Sequence, residues 1–90
     1  MTQHLTIPLI RAAIDEADDI LLRALATRFR AIGHLKDIKR DTGVQVESPS
    51  RETELKARWK KKAEELRLPT ELTLLILDFI LAESKKIQSS

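Results

Sequence analysis

The feature that most constrains this chain is its opening third. From Pro8 to Arg40 there is no further proline and a single glycine, Gly33. Apolar residues recur there at three- and four-residue spacing: Ile10, Ile14, Ala17, Leu21, Ala24, then Ala31, Leu35 and Ile38. That period belongs to one face of an α-helix. Pro8 suits a first turn, where its missing N–H costs nothing. Asp15, Glu16, Asp18 and Asp19 fall early and Lys36, Lys39 and Arg40 late, which complements the helix dipole. A helix over about 8–41 follows, closed by Gly43, with a loop at 42–47.

Ser48-Pro49 then reads as a cap and first position of a second helix over about 48–67. Leu55, Trp59, Ala63 and Leu66 share one of its faces. Its other faces carry Glu52/Lys56, Glu54/Arg58, Lys60/Glu64 and Lys61/Glu65 at the favourable i,i+4 order. Leu68-Pro69-Thr70 breaks the chain, and a third helix runs over about 70–88 with Leu72, Leu75, Ile76, Phe79 and Ile80 directed inward. The expected class is all-α, one domain spanning 1–90, with one long and two shorter helices.

Length turns this into an argument about assembly. A helix of about 33 residues is about 50 Å long. A compact 90-residue globule is only about 30 Å across. Two helices of about 18 residues cannot cover the whole first stripe, since each spans only about 27 Å. A second copy is the simplest cover, giving an intertwined homodimer in which the long helices pack together. The alternative is a first helix broken near Gly33.

Composition excludes several functions. The chain has no cysteine, so disulfides and thiolate metal sites are out. His4 and His34 lack ligand spacing for zinc and read as surface residues. Aromatic residues make up 3%, too few to stack single-stranded nucleic acid, and the net charge is only +2. The run Lys60-Lys61-Lys62, with Lys56 and Arg58, is interleaved with acids and reads as a solvated face rather than a nucleic-acid patch. There is no Gly-rich phosphate loop and no histidine placed for a hydrolytic triad. The start lacks the pattern of a signal peptide, and the most apolar stretch, Leu72 to Leu81, is too short to span a bilayer and contains Asp78. The expected location is cytoplasmic, with no membrane and no nucleic-acid partner. Any chemistry would run without cofactor or metal, through cations and hydrogen bonds aimed at a bound anion.

Certain polar residues break the pattern. Arg28 falls on the apolar stripe, and Lys39, eleven residues on, lies about 20° away around the same helix, at about 100° per residue. A buried cation without a partner is costly. Either the two long stems snorkel to water or an acid of another helix, or an anion belongs between them. Arg11 precedes Arg28 by 17 residues, about 25 Å of helix and roughly 100° around it, so one small ligand cannot touch both on one straight helix. It is an ordinary surface residue or serves a partner's site. Glu52 reads plainly as a first-turn acid paired with Lys56, with Arg51 beside it. Ser84 and Gln88, an i,i+4 pair, read as polar residues of a fraying end.

The ordered set resembles a known family. Arg11-x-x-Ile14-Asp15-x-x-Asp18-x-x-Leu21-Leu22-x-x-Leu25-x-x-Arg28 is similar to the opening of the all-helical (AroQ-type) chorismate mutases, and Lys39, Gly43, Arg51-Glu52, Ser84 and Gln88 continue the match over roughly residues 8 to 88. The resemblance implies an interlocked dimer of three-helix chains. It implies a cofactor-free isomerase converting chorismate to prephenate in phenylalanine and tyrosine biosynthesis, part of the shikimate pathway. By the same resemblance Arg28, Arg51 and Ser84, with Arg11 from the other chain, hold the substrate carboxylates. Lys39 and Gln88 donate to the ether oxygen, and Glu52 meets the ring hydroxyl. The family commonly carries Asp where this chain has Ser48, so a hydroxyl replaces a carboxylate in binding that ring hydroxyl. Related folds cleave isochorismate to pyruvate and salicylate, or rearrange 4-amino-4-deoxychorismate. The lyases tend to place an apolar residue where this chain keeps Glu52. A non-catalytic helical dimerisation module is the alternative outside enzymology.

Overall fold

A computed structural model describes residues 4–46 and 48–89. Residues 1–3, Glu47 at the end of the expected loop, and Ser90 lie outside the described residues. The chain is all-α: α1 is Ile7–Thr42, α2 is Pro49–Glu65 and α3 is Thr70–Ser89. It divides into two units, Met1–Ala31 and Ile32–Ser90. Among the described residues no helix is long and apolar enough to cross a membrane.

The first unit contains the larger part of α1, which is unbroken at Gly33. No residue of α1 is buried. Of its predicted stripe, Ile10, Ile14, Leu21, Leu35 and Ile38 are between 36% and 56% exposed. The helix stops where the sequence says it should. Gly43, at a φ of 73°, donates its N–H to the Lys39 carbonyl at 2.8 Å, a left-handed closure that favours glycine.

In the second unit α2 packs against α3. Ser48 caps α2 in extended conformation, its Oγ accepting the Arg51 N–H at 3.1 Å, and Pro49 opens the first turn. The buried core is small: Leu55 and Ala63 from α2, Leu77 and Ile80 from α3. Trp59 is half-buried beside them. Leu66, expected on the same face, is the C-cap of α2 and largely exposed, because the helix has ended before it.

The inward face of α3 differs from the expected one. Leu72, Leu75, Ile76 and Phe79 are exposed, Phe79 at 77%, while Leu77, Ile80 and Ser84 are buried. Half-buried Thr73, Leu74, Leu81, Ile87 and Gln88 flank them. The physical reason is that the helix is apolar nearly all round between Leu72 and Leu81, so hydrophobic period alone does not choose a face. The face turned to α2 is apolar only in its middle and ends in Ser84 and Gln88.

The turn between α2 and α3 closes with paired bonds. Leu68 N–H reaches the Ala63 carbonyl at 2.8 Å and Arg67 N–H the Glu64 carbonyl at 3.3 Å. These are the two bonds of a Schellman motif. Its left-handed position is held by Arg67, at a φ of 57°, where glycine carries no Cβ penalty. Arg67→Gly is therefore expected to stabilise the protein by about 1 kcal/mol, read as a higher urea midpoint at unchanged slope. A lower midpoint would contradict this account of the turn.

Candidate active site

The site is assembled where the start of α2 meets the end of α3. Capping fixes Ser48 at the mouth of α2, and Glu52 follows one turn on. Lys85 comes opposite from α3. Its Nζ lies 2.7 Å from Glu52 Oε1. Gln45, Ser48, Pro49, Glu52 and Lys85 together line a recess of about 270 Å³. That is just below the usual range of small-ligand pockets, about 300–1,000 Å³.

The Lys85 ammonium, hydrogen-bonded to Glu52, holds that carboxyl below the usual carboxylate range; Lys56 adds a weaker pull and partial burial opposes both. Glu52 is thus an anion at neutral pH and an acceptor, not a general acid. The expected pairing of Glu52 with Lys56 along α2 gives way to this bond across the two helices. A carboxylate, an ammonium, a hydroxyl and an amide facing one space can bind a small polar group that both donates and accepts. Among the described residues no three His, Cys, Asp or Glu side chains are placed to hold a metal ion.

The other site candidates take up distinct places. Ser84 is 5% exposed, and its Oγ donates to the Ile80 carbonyl at 2.8 Å, so it is a packed residue of the α2–α3 face rather than part of a fraying end. Gln88 is half-buried one turn later. Arg51 is exposed, with Nη1 2.6 Å from Glu54 Oε1. Lys39 is exposed in the last turn of α1, within the second unit. Arg11 and Arg28 belong to the first unit, Arg11 exposed and Arg28 half-buried. The recess therefore joins Ser48 and Glu52 and adds two residues that the sequence did not single out, Gln45 and Lys85. Lys85 sits between Ser84 and Gln88 in sequence, but its pairing depends on how α3 registers against α2. Glu52 already had a satisfactory partner in Lys56 on paper.

The chain is all-α, with a polar, charge-paired recess at the mouth of α2. The chain matches the Chorismate mutase type II family over residues 10–89 and belongs to that family, whose members are isomerases. No solved structure matches it.

Proposed function

We propose that the chain is a chorismate mutase acting on chorismate itself, as a homodimer. The observation that carries this reading is the recess in which Ser48 and Glu52 face Lys85, in a chain matched by that family over nearly its whole length. The substrate is a dicarboxylate with a ring hydroxyl. In the rearrangement an ether C–O bond breaks as a C–C bond forms, with no net transfer of protons or electrons. The protein's work is then positioning and electrostatics.

Arg28, Arg51 and Ser84, with Arg11 of a second copy, hold the two carboxylates and select the folded, reactive conformer. Guanidinium suits this because its planar fork matches a carboxylate and stays charged. To do so Arg51 turns from Glu54, an exposed pair worth little. Lys39 and Gln88 donate to the ether oxygen as charge grows on it. Ser48 and Glu52 receive the ring hydroxyl.

The exposed stripe of α1 and, separately, the exposed Leu72, Leu75, Ile76 and Phe79 of α3 support the dimer, since apolar helix faces left to solvent are candidates for burial against a partner. Pairing would also bring Arg11 to a site it cannot reach along its own helix.

The test is to mix purified protein with chorismate and follow the loss of its ultraviolet absorbance, with sedimentation of the same sample. Turnover well above the uncatalysed rate by a species of twice the chain mass is expected. No loss above the uncatalysed rate would sink the assignment, and an active monomer would sink the dimer. Salicylate fluorescence from isochorismate, without chorismate turnover, would favour the lyase.

A further inference from the structure

Lys85 is the charged residue of the recess that the proposed chemistry leaves unused. Its ammonium is 2.7 Å from Glu52 Oε1, on side chains 58% and 35% exposed respectively. The remaining lining is neutral: the Ser48 hydroxyl, the Gln45 amide and Pro49. The formal charge of the recess is therefore zero, one carboxylate against one ammonium. We propose that Lys85 is a specificity-determining residue that makes this recess select a neutral ring hydroxyl over a cationic ring amine. The inference rests on the reading of Glu52 as the acceptor for the ring substituent.

Hydrogen-bond inventory carries the argument. A hydroxyl has one donor and two lone pairs, so it can donate to Glu52 and accept from Lys85 at once. A carboxylate offers about four lone-pair sites, so one bond to Lys85 does not saturate Glu52. A ring ammonium has donors only. It would compete with Lys85 for the same carboxylate, offer the lysine no acceptor of its own, and set two like charges side by side in one small recess. Juxtaposed like charges are an effective way of rejecting a wrong ligand. Without Lys85 the preference should shift toward the amine, because a Glu52 relieved of that cation would attract the amine more strongly than before. The lowered proton affinity of Glu52 agrees, since the carboxylate is already committed to a cation.

The experiment compares kcat/KM for chorismate and for 4-amino-4-deoxychorismate in the native chain, Lys85→Met and Lys85→Arg. Methionine keeps the length and helix propensity of lysine, and circular dichroism verifies folding. The expected result is a native preference for chorismate that moves toward the amino substrate by about five- to tenfold in Lys85→Met, a modest factor because the pair is partly solvated. Lys85→Arg keeps the charge and should hold the ratio to within about twofold. Chorismate turnover with an unchanged ratio in Lys85→Met overturns the inference while leaving the mutase assignment intact. A shift in Lys85→Arg as large as in Lys85→Met also overturns it, since packing rather than charge would then set the ratio. A native chain that turns over neither substrate overturns the assignment beneath it, and the inference with it.

Discussion

Lys39→Ala is expected to lower kcat/KM for chorismate by about 10²–10³-fold, as is typical for removing one donor aimed at developing oxyanion charge. That corresponds to about 2.7–4 kcal/mol of transition-state stabilisation. The substitution is informative because Lys39 has little structural work to lose. Its side chain is exposed in the last turn of α1. The bond that closes the helix is accepted by its main-chain carbonyl, which alanine retains. Alanine is the best helix former, and the lost attraction to the helix C-terminus is worth only about 0.3–1 kcal/mol. Helicity and unfolding midpoint should therefore change little while turnover collapses. Lys39→Arg separates charge from geometry, because a planar fork cannot place its charge as a compact ammonium does. Near-native turnover in Lys39→Ala would overturn the mechanism and leave the other proposed donor, Gln88, to carry the ether oxygen alone.

Much of this fold is written locally. Helix α1 follows from a long stretch with one glycine and a regular apolar period, and Gly33 does not break it because a lone glycine costs a helix only about 1 kcal/mol. Ser48 and Pro49 announce the start of α2, and the Oγ bond to Arg51 N–H is the one that such a cap makes. Among the proposed site residues, Arg28 stands out locally because it falls on an apolar stripe, whereas Glu52, Ser84 and Gln88 each have an ordinary local reading. What was not legible is tertiary. On α3 the true inner face, Leu77–Ile80–Ser84, keeps the three–four spacing but is bounded by polar residues, so the more continuous apolar line through Leu72, Leu75, Ile76 and Phe79 outcompetes it in a sequence reading. The Glu52–Lys85 bond joins residues 33 apart and exists only once the turn at Arg67 has set the register of α2 and α3. A left-handed arginine carries no composition signal, unlike the glycine at position 43.

Leu77→Ala is the second large effect, expected to cost about 2–5 kcal/mol of stability, the range for deleting a buried leucine. Leu77 is fully enclosed, at 0% exposed, and among the described residues Leu55, Ala63 and Ile80 are the other buried apolar residues. Domains of ordinary stability have about 5–15 kcal/mol in all, so so small a core has little to spare. A marked fall in the urea midpoint is expected, and turnover should fall in parallel. Ser84 lies on the same α3 face two turns on, and Glu52 meets Lys85 only while α2 and α3 keep their register. Phe79→Ala provides the contrast. Phe79 is the larger side chain but 77% exposed on the opposite face, so within one chain its removal should cost much less than that of Leu77. If two copies pair over that surface, the Phe79→Ala penalty instead grows as protein is concentrated, because stability and association are then linked by mass action. The Leu77→Ala penalty should be large at every concentration. A Leu77→Ala cost below about 1 kcal/mol, the level of an average substitution, would mean that α2 and α3 do not meet on this face, and the recess at Glu52 would lose its structural basis with them.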